Sequence, residues 1–351
     1  MPVFPAAYLL TVAREIFKAA GTPQDEAQTV AEGLVSANLA GHDSHGVLHV
    51  PIYVDRIKQG YIVPGAPVVI ERETPVTARV NGNWGFGFVV ARKAAELAIK
   101  KARQSHLAAV TVYQQGHIGR LAPYPTLAAR EGLAAIMFTD SGRGPKSVAP
   151  FGGRAARLGT NPMCIAVPSD EPTPVFIDMA TCAVAGNKLL VYQNRGEQIP
   201  LGWILDREGH PTTDPFVYGK GGGALLPLGG EQGHKGYGLS FMGEVFSGIL
   251  TTLGWGHDPT GKHNDGCLYI CWQVEAFMDL ADFKREVSEF IAYIKTAPLA
   301  AGFSEILHPG EYEYRTEQQR RRDGIEIDPA TWKSIQALLA EYGLEGTVGK
   351  S

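Results

Sequence analysis

From residue 76 to residue 295 the chain alternates short apolar, β-branched runs with longer amphipathic stretches, and this alternation constrains its fold more than any other feature. Segments 76–80, 108–113 and 134–139 read as strands, and 85–101 and 119–131 read as the helices between them. Apolar runs follow at 164–168 and 174–178. A helix over 183–193, a helix over 234–252, a strand over 268–277 and a helix over 281–295 complete the series. Strands alternating with helices specify an α/β domain. The 42 glycines and 23 prolines imply many turns, and residues 196–232 are rich in both, reading as a long loop region and candidate lid.

The ends read differently. Residues 6–20 form an amphipathic helix pattern, and Thr22-Pro23-Gln24-Asp25 looks like the capped start of a second helix running to Ala40. Residues 61–74 read as a connection, with a domain boundary near 72. The tail beyond Pro309 ends in a short helix capped by Asp328 with Pro329 at its first position.

A length of 351 residues suffices for two domains, or one large one with a substantial core. The net charge of −4 offers no basic field for nucleic acid and no polybasic arm for a membrane. Cys164, Cys182, Cys267 and Cys271 include no CxxC pair and make a poor disulfide framework, so a reducing compartment is expected. The apolar N-terminal stretch is interrupted by Arg14 and Glu15, is too short to span a bilayer and lacks a basic n-region. The chain reads as cytoplasmic.

Of ten histidines, His42, His45 and His49 fall close together, beside Asp43, Ser44 and Tyr53. On a helix, positions 42, 45, 49, 53 and 56 would share one face. Ser44 would cap such a helix, and the N–H groups after it would suit a carboxylate or phosphate. Pro51 kinks or breaks it. A buried turn with satisfied histidines is an equal alternative. A metal site on His42, His45 and Asp43, serving a hydrolase, is a third, although no further acidic or thiol ligand is placed to complete it.

Nucleotide binding is the obvious question for an α/β domain. Gly85-Phe-Gly87 follows a strand and opens a helix, but Val90 stands where the third glycine of G-x-G-x-x-G belongs. No acid ends a second strand about twenty residues on. A dinucleotide, if bound, sits on a different fold. Gly116-His117-Ile118-Gly119-Arg120 lies at a strand-to-helix junction, where catalytic side chains of α/β proteins gather. His117 suits proton transfer near neutral pH, and Arg120 offers a two-pronged grip on a carboxylate or phosphate. A loop histidine with a surface arginine is the plain alternative. Asp178 ends an apolar run, where it either accepts from ribose hydroxyls or caps the next segment. His234 and Lys235 open a helix, as a phosphate site or an exposed basic start.

Together these stretches resemble the malate/L-lactate dehydrogenase family that is unrelated to the Rossmann lactate dehydrogenases. The resemblance lies in SHG at 44–46, GHxG at 116–119, APFGG at 149–153, GTNP at 159–162, DMAT at 178–181, HKGY at 234–237 and PGE at 309–311. It covers nearly the whole chain in order. It implies an α/β fold with a non-Rossmann, mixed-sheet cofactor-binding domain at 73–295. Helices of 1–72 and a C-terminal segment, 296–351, would form a second domain from both chain ends. It implies a homodimer, NAD or NADP as cofactor with NAD favoured, and a small 2-oxo or 2-hydroxy acid as substrate. A cyclic imine or a ureido acid is the alternative within the family.

By matching positions, His117 is the acid/base candidate, with His45 beside the nicotinamide or as proton donor. Ser44, His49, Tyr53 and Arg120 fall to the substrate. Gly119, Arg120, Leu121, Thr160, Asn161, Phe176, Ile177, Asp178, Met179, Ala180, His234, Lys235, Gly310, Glu311, Tyr312 and Glu313 fall to the cofactor. Several family members carry arginine where this chain has His49, which leaves Arg120, Arg143, Lys146 or a helix start near Ser44 to hold the substrate carboxylate. Some also carry a catalytic lysine where this chain has Ser141.

Overall fold

The computed structural model describes residues 1–140, 144–256 and 265–346; Ser141 and Arg143 lie outside them. The strands are β1 (Val3–Phe4), β2 (Val69–Glu73), β3 (Thr77–Gly85), β4 (Leu107–Gln115), β5 (Leu133–Asp140), β6 (Met163–Val167), β7 (Val175–Met179), β8 (Ile204–Leu205), β9 (Pro211–Thr212), β10 (Ala224–Leu225), β11 (Asp265–Gln273) and β12 (Ile325–Glu326). The helices are α1 (Ala6–Ala19), α2 (Gln24–Leu39), α3 (His49–Lys58), α4 (Gly87–Ser105), α5 (Pro123–Arg130), α6 (Gly186–Arg195), α7 (His234–Glu244), α8 (Leu280–Lys295), α9 (Glu311–Asp323) and α10 (Pro329–Glu341).

A mixed seven-stranded sheet carries the fold, in the order β2-β3-β4-β11-β5-β6-β7. β3 and β4 run parallel and the other neighbours antiparallel, so this is not a doubly wound parallel sheet. β11 inserts between β4 and β5, pairing Gly266 with Asp140 through to Gln273 with Leu133. Ala108, Val110 and Val112 of β4 alternate inward, as do Cys267, Tyr269 and Cys271 of β11. They meet Ala91, Ala94, Ala95, Ala98 and Ala102 of α4, a stripe small enough to let the helix lie close on the sheet.

The chain ends form a second core. α1, α2 and α3 pack with Ile325, Ile335, Leu338 and Leu339 from the C-terminus, and Phe86, Phe88 and Val89 at the start of α4 enter the same cluster. β1 pairs with β12, and the Phe4 and Trp332 rings lie 4.1 Å apart.

Several expectations change. Residues 69–73 are an edge strand rather than part of a connection. Thr22 makes no capping bond, and Pro23 precedes the first helical residue. The helix expected from 119 begins at Pro123, because Gly119 takes φ +71° and holds the chain in a turn. Residues 196–232 are not a loose loop: β8, β9 and β10 form a small sheet over their own core of Val148, Leu158, Val184, Leu189, Ile199, Ile204 and Leu225. α7 passes into a π-helical turn over Val245–Ile249. α9 has no apolar stripe to announce it; its surface is tied by Glu311–Arg315 and Glu317–Arg321 pairs one turn apart.

The histidine stretch is a 3₁₀ turn, Asp43–His45, followed by α3, so His42 and His45 do not continue the helix face of His49 and Tyr53. Pro51 falls in the first turn of α3, where the missing N–H costs little. Asn38 holds this turn in place. Its Oδ1 accepts from Val47 N at 2.8 Å and its Nδ2 donates to Asp43 Oδ1 at 2.6 Å. Gly46 packs on the amide so closely that a Cβ would lie 2.2 Å from Oδ1. From α9, Arg320 clamps both carboxylate oxygens of Asp43, at 2.7 and 2.9 Å, and donates to the Asn38 carbonyl. Asn38→Ala leaves a buried N–H unpaired and is expected to cost about 1–3 kcal/mol, read as a lower urea midpoint. An unchanged midpoint would remove Asn38 from this role.

Candidate active site

Segment 116–122, between β4 and α5, is held from several sides. Gly87 lets α4 press against it, since a Cβ there would lie 2.1 Å from the Gly116 carbonyl. The Ile118 N–H donates to buried Asp265 at 3.1 Å and the Ala122 N–H to Asp178 at 2.7 Å. A Cβ on Gly119 would lie 2.5 Å from the Phe88 ring. The segment therefore presents His117 and Arg120 from a fixed backbone.

Tyr53 of α3 meets His117 across the boundary between the two cores, with its Oη 2.6 Å from Nδ1. Burial pushes the Tyr53 phenol well above its usual range, so it stays protonated. His117 Nδ1 is its hydrogen-bond partner, and the phenol, being both donor and acceptor, can hold the ring in place.

His45 and His49 close around His117, with ring centroids 5.8 and 5.0 Å from it. Ser44 Oγ engages His45 Nδ1 at 2.9 Å, and His49 Nε2 turns back to the Ser44 carbonyl at 3.0 Å. Burial, then the neighbouring His49, His42 and Arg120, lowers the His45 pKa to about 4. Burial lowers His49 to about 4, against the pull of the Ser44 carbonyl. Both rings are therefore neutral near pH 7.

A cleft of about 380 Å³ opens in front of His45. Of the residues singled out from the sequence, His42, Ser44, His45, Gly119, Arg120, Leu121, Thr160, Asp178, Met179 and Ala180 line it. His49, Tyr53 and His117 stand around His45 as described. Glu313 reaches His42 Nε2 at 3.2 Å from α9. Burial raises the Asp178 pKa, against the Ala122 N–H and Arg120.

The other candidates lie elsewhere. Asn161 is buried behind Thr160, with Nδ2 on the Ser240 carbonyl (3.0 Å) and on Glu244 (2.9 Å). Lys146 pairs with the same Glu244 at 2.9 Å. Phe176 belongs to the sheet core, with Gly310 packed against its ring, and Ile177 is exposed. Glu311 gathers Lys295 at 2.6 Å, the His308 N–H and Arg315. Tyr312 and Lys235 are exposed, and His234 sits edge-on to Phe151. Sequence reasoning missed Ala185, Gly186 and Tyr218, which form the far wall. Gly186 had one available signal, a lone glycine opening a helix. Tyr218 had none, since it sits between two 3₁₀ turns that no periodicity announced.

The metal reading finds no support in this arrangement. Among the described residues no group of three His, Cys, Asp or Glu side chains could hold a metal ion. His42 is turned to Glu313 and Asp43 to Arg320.

The neutral histidines give a signed pH response. His45 and His49 fall from 6.5 unfolded to about 4 folded, so the unfolded chain binds more protons between those values. Their contribution is complete above about pH 6.5 and is lost as the pH falls toward 4. The urea midpoint should drop over that window, and less steeply in His45→Gln; equal slopes in the two proteins would contradict the assignment.

Comparison with known proteins places this arrangement. The model of the malate/L-lactate dehydrogenase family matches residues 4–336. The chain is 38% identical over 339 residues to L-sulfolactate dehydrogenase of Methanothermobacter thermautotrophicus, covering 95% of each. It is 33% identical over 346 residues to hydroxycarboxylate dehydrogenase B of Escherichia coli K12, covering 97% of this chain and 94% of that one. The solved malate dehydrogenase of Entamoeba histolytica superposes with a TM-score of 0.92 at 32% identity, over 97% of this chain and 98% of that one. With its sequence and fold matched along nearly the whole length, this chain belongs to the malate/L-lactate dehydrogenase family of hydroxy-acid dehydrogenases.

Proposed function

We propose that the protein interconverts a 2-oxo acid and its 2-hydroxy acid with a nicotinamide cofactor, using His117 as proton donor and acceptor. The observation that carries this reading is the Tyr53–His117 hydrogen bond of 2.6 Å, which anchors the His117 ring beside His45, a wall of the cleft.

The cleft walls fit a flat, extended cofactor. Gly119 and Gly186 keep them low, and a Cβ on Gly186 would lie 2.9 Å from Tyr218 Oη. The first amides of α6 have no side-chain cap and face a cleft wall, ready to receive a phosphate. The nicotinamide, when bound, supplies or takes a hydride at C2 of the acid. His117 gives a proton to the C2 oxygen as that oxygen gains charge, and takes it back in reverse. Tyr53 holds the ring in place. His45, neutral, hydrogen-bonds the same oxygen and keeps water from it. NAD is favoured over NADP: Arg120 is the one permanent cation on the described cleft wall, and Asp178 beside it disfavours a 2′-phosphate.

We further propose a homodimer. α7 buries Gly236, Ser240, Gly243 and Glu244 and leaves Leu239, Phe241 and Met242 exposed, followed by Ile249, Leu250 and Trp255. A row of that kind needs cover. Light scattering after size exclusion should report a dimer for the native protein and a monomer for Phe241→Glu; a monomeric native protein would overturn this.

The assay is NADH and NADPH oxidation at 340 nm with a panel of 2-oxo acids, with and without chelator. Turnover insensitive to chelator is expected. His117→Gln should lower kcat about 10²–10⁴-fold, and Tyr53→Phe by a smaller factor with a shifted pH profile. A loss below tenfold in His117→Gln would transfer the proton to His45, and turnover of cyclic imines alone would replace the 2-oxo acid reading.

A further inference from the structure

An oxidoreductase of 2-oxo acids must hold a carboxylate, and most of the described cations near the cleft are already engaged. His49 is wedged against Tyr53 and His117, at ring distances of 5.2 and 5.0 Å, and is neutral near pH 7. Lys146 pairs with Glu244 and His42 with Glu313. His234 and Lys235 are exposed and stand off the cleft wall.

Arg120 differs from all of these. It lines the cleft with His45, and among the described residues no carboxylate stands within ion-pair distance of it. Its hydrogen bond is a long one, 3.4 Å from Nη2 to Ser36 Oγ on α2. Its Nε and Nη1 are shut away from water with no partner. A guanidinium in that state has given up hydration without replacing it. The acids that act on it do so from a distance. Asp178 spends an oxygen on the Ala122 N–H, and Glu313 spends one on His42. What the fork lacks is a planar anion with two acceptor oxygens. Gly119 fixes where the fork is presented, because its positive φ and the Phe88 ring against it permit no side chain there.

We propose that Arg120 is the substrate-anchoring residue, gripping the C1 carboxylate of the acid so that its C2 oxygen lies toward His45 and His117. This rests on the dehydrogenase reading and adds to it the group that sets substrate register. Arg120 thereby does from the β4–α5 turn what no side chain at position 49 does in this chain.

The test uses the full-length protein, with Arg120→Gln, Arg120→Lys and Arg120→Ala, and thermal melts as the folding control. Three quantities are read: KM for the best 2-oxo acid, NADH affinity by fluorescence, and binding of oxalate by calorimetry. Arg120→Gln should raise KM about 10²-fold and abolish oxalate binding with NADH affinity unchanged. Arg120→Lys keeps the charge but loses the fork and should fall between the two. Added guanidinium should restore part of kcat/KM to Arg120→Ala, which a merely structural role would not allow. Weaker NADH binding with an unchanged KM would assign Arg120 to a cofactor phosphate and overturn the proposal, as would failure of the native protein to bind oxalate. Should the native protein reduce no 2-oxo acid yet bind oxalate through Arg120, the dehydrogenase reading fails and the carboxylate anchor stands.

Discussion

The hydrogen bond from Tyr53 to His117 is the contact on which the site depends. Tyr53 belongs to the core built from the chain ends and His117 to the turn at the top of the sheet. One phenol thus ties the core of the chain ends to the ring of His117. A carboxylate in its place would stabilise an imidazolium. A phenol that burial keeps protonated brings no such charge to the ring.

The surrounding electrostatics follow the same economy. Three imidazoles share a small volume, and two are held neutral by desolvation, so they crowd without mutual repulsion. The nearby acids are spent on backbone donors: Asp178 on Ala122, Asp265 on Ile118. These bonds stiffen the turn from which Arg120 is presented. Farther out, Lys146, Glu244 and Asn161 make a buried trio that ties the GTNP turn to α7. A charge pair buried so deeply contributes more to fixing geometry than to net stability.

Much of the fold was legible because its core elements have strong periodicity. The alanine stripe of α4 and the β-branched runs of β4 and β5 are patterns that burial alone dictates. The order of strands was not legible, since nothing in residues 265–273 says that they enter between β4 and β5. The edge strand β2 was missed because every one of its residues is exposed, and α9 because its helix is held by ion pairs instead of an apolar face. In the site, His45, His117 and Arg120 stood out by residue type; the structure brings His45 and Arg120 to one cleft and packs His117 against the His45 ring. Tyr218 did not, as a tyrosine in a Gly-rich segment resembles any other. Glu311 was singled out by its motif, yet it sits in an ion-pair knot with Lys295 and Arg315, where a local sequence cannot place it.

The position of β11 bears on how the chain comes to be folded at all. It is the central strand, but it follows its neighbour β5 by well over a hundred residues. Until it is synthesised, β4 and β5 each present an open edge, and the parallel β3–β4 ladder lacks the strand that locks it. A nascent chain must therefore hold two half-sheets apart, with sticky edges facing, while the small sheet and α6 and α7 emerge between them. Contacts this distant in sequence are slow to form and expose such edges to one another and to other chains. The main sheet is thus one that closes from its middle last, and only then can β12 and α10 complete the core of the chain ends.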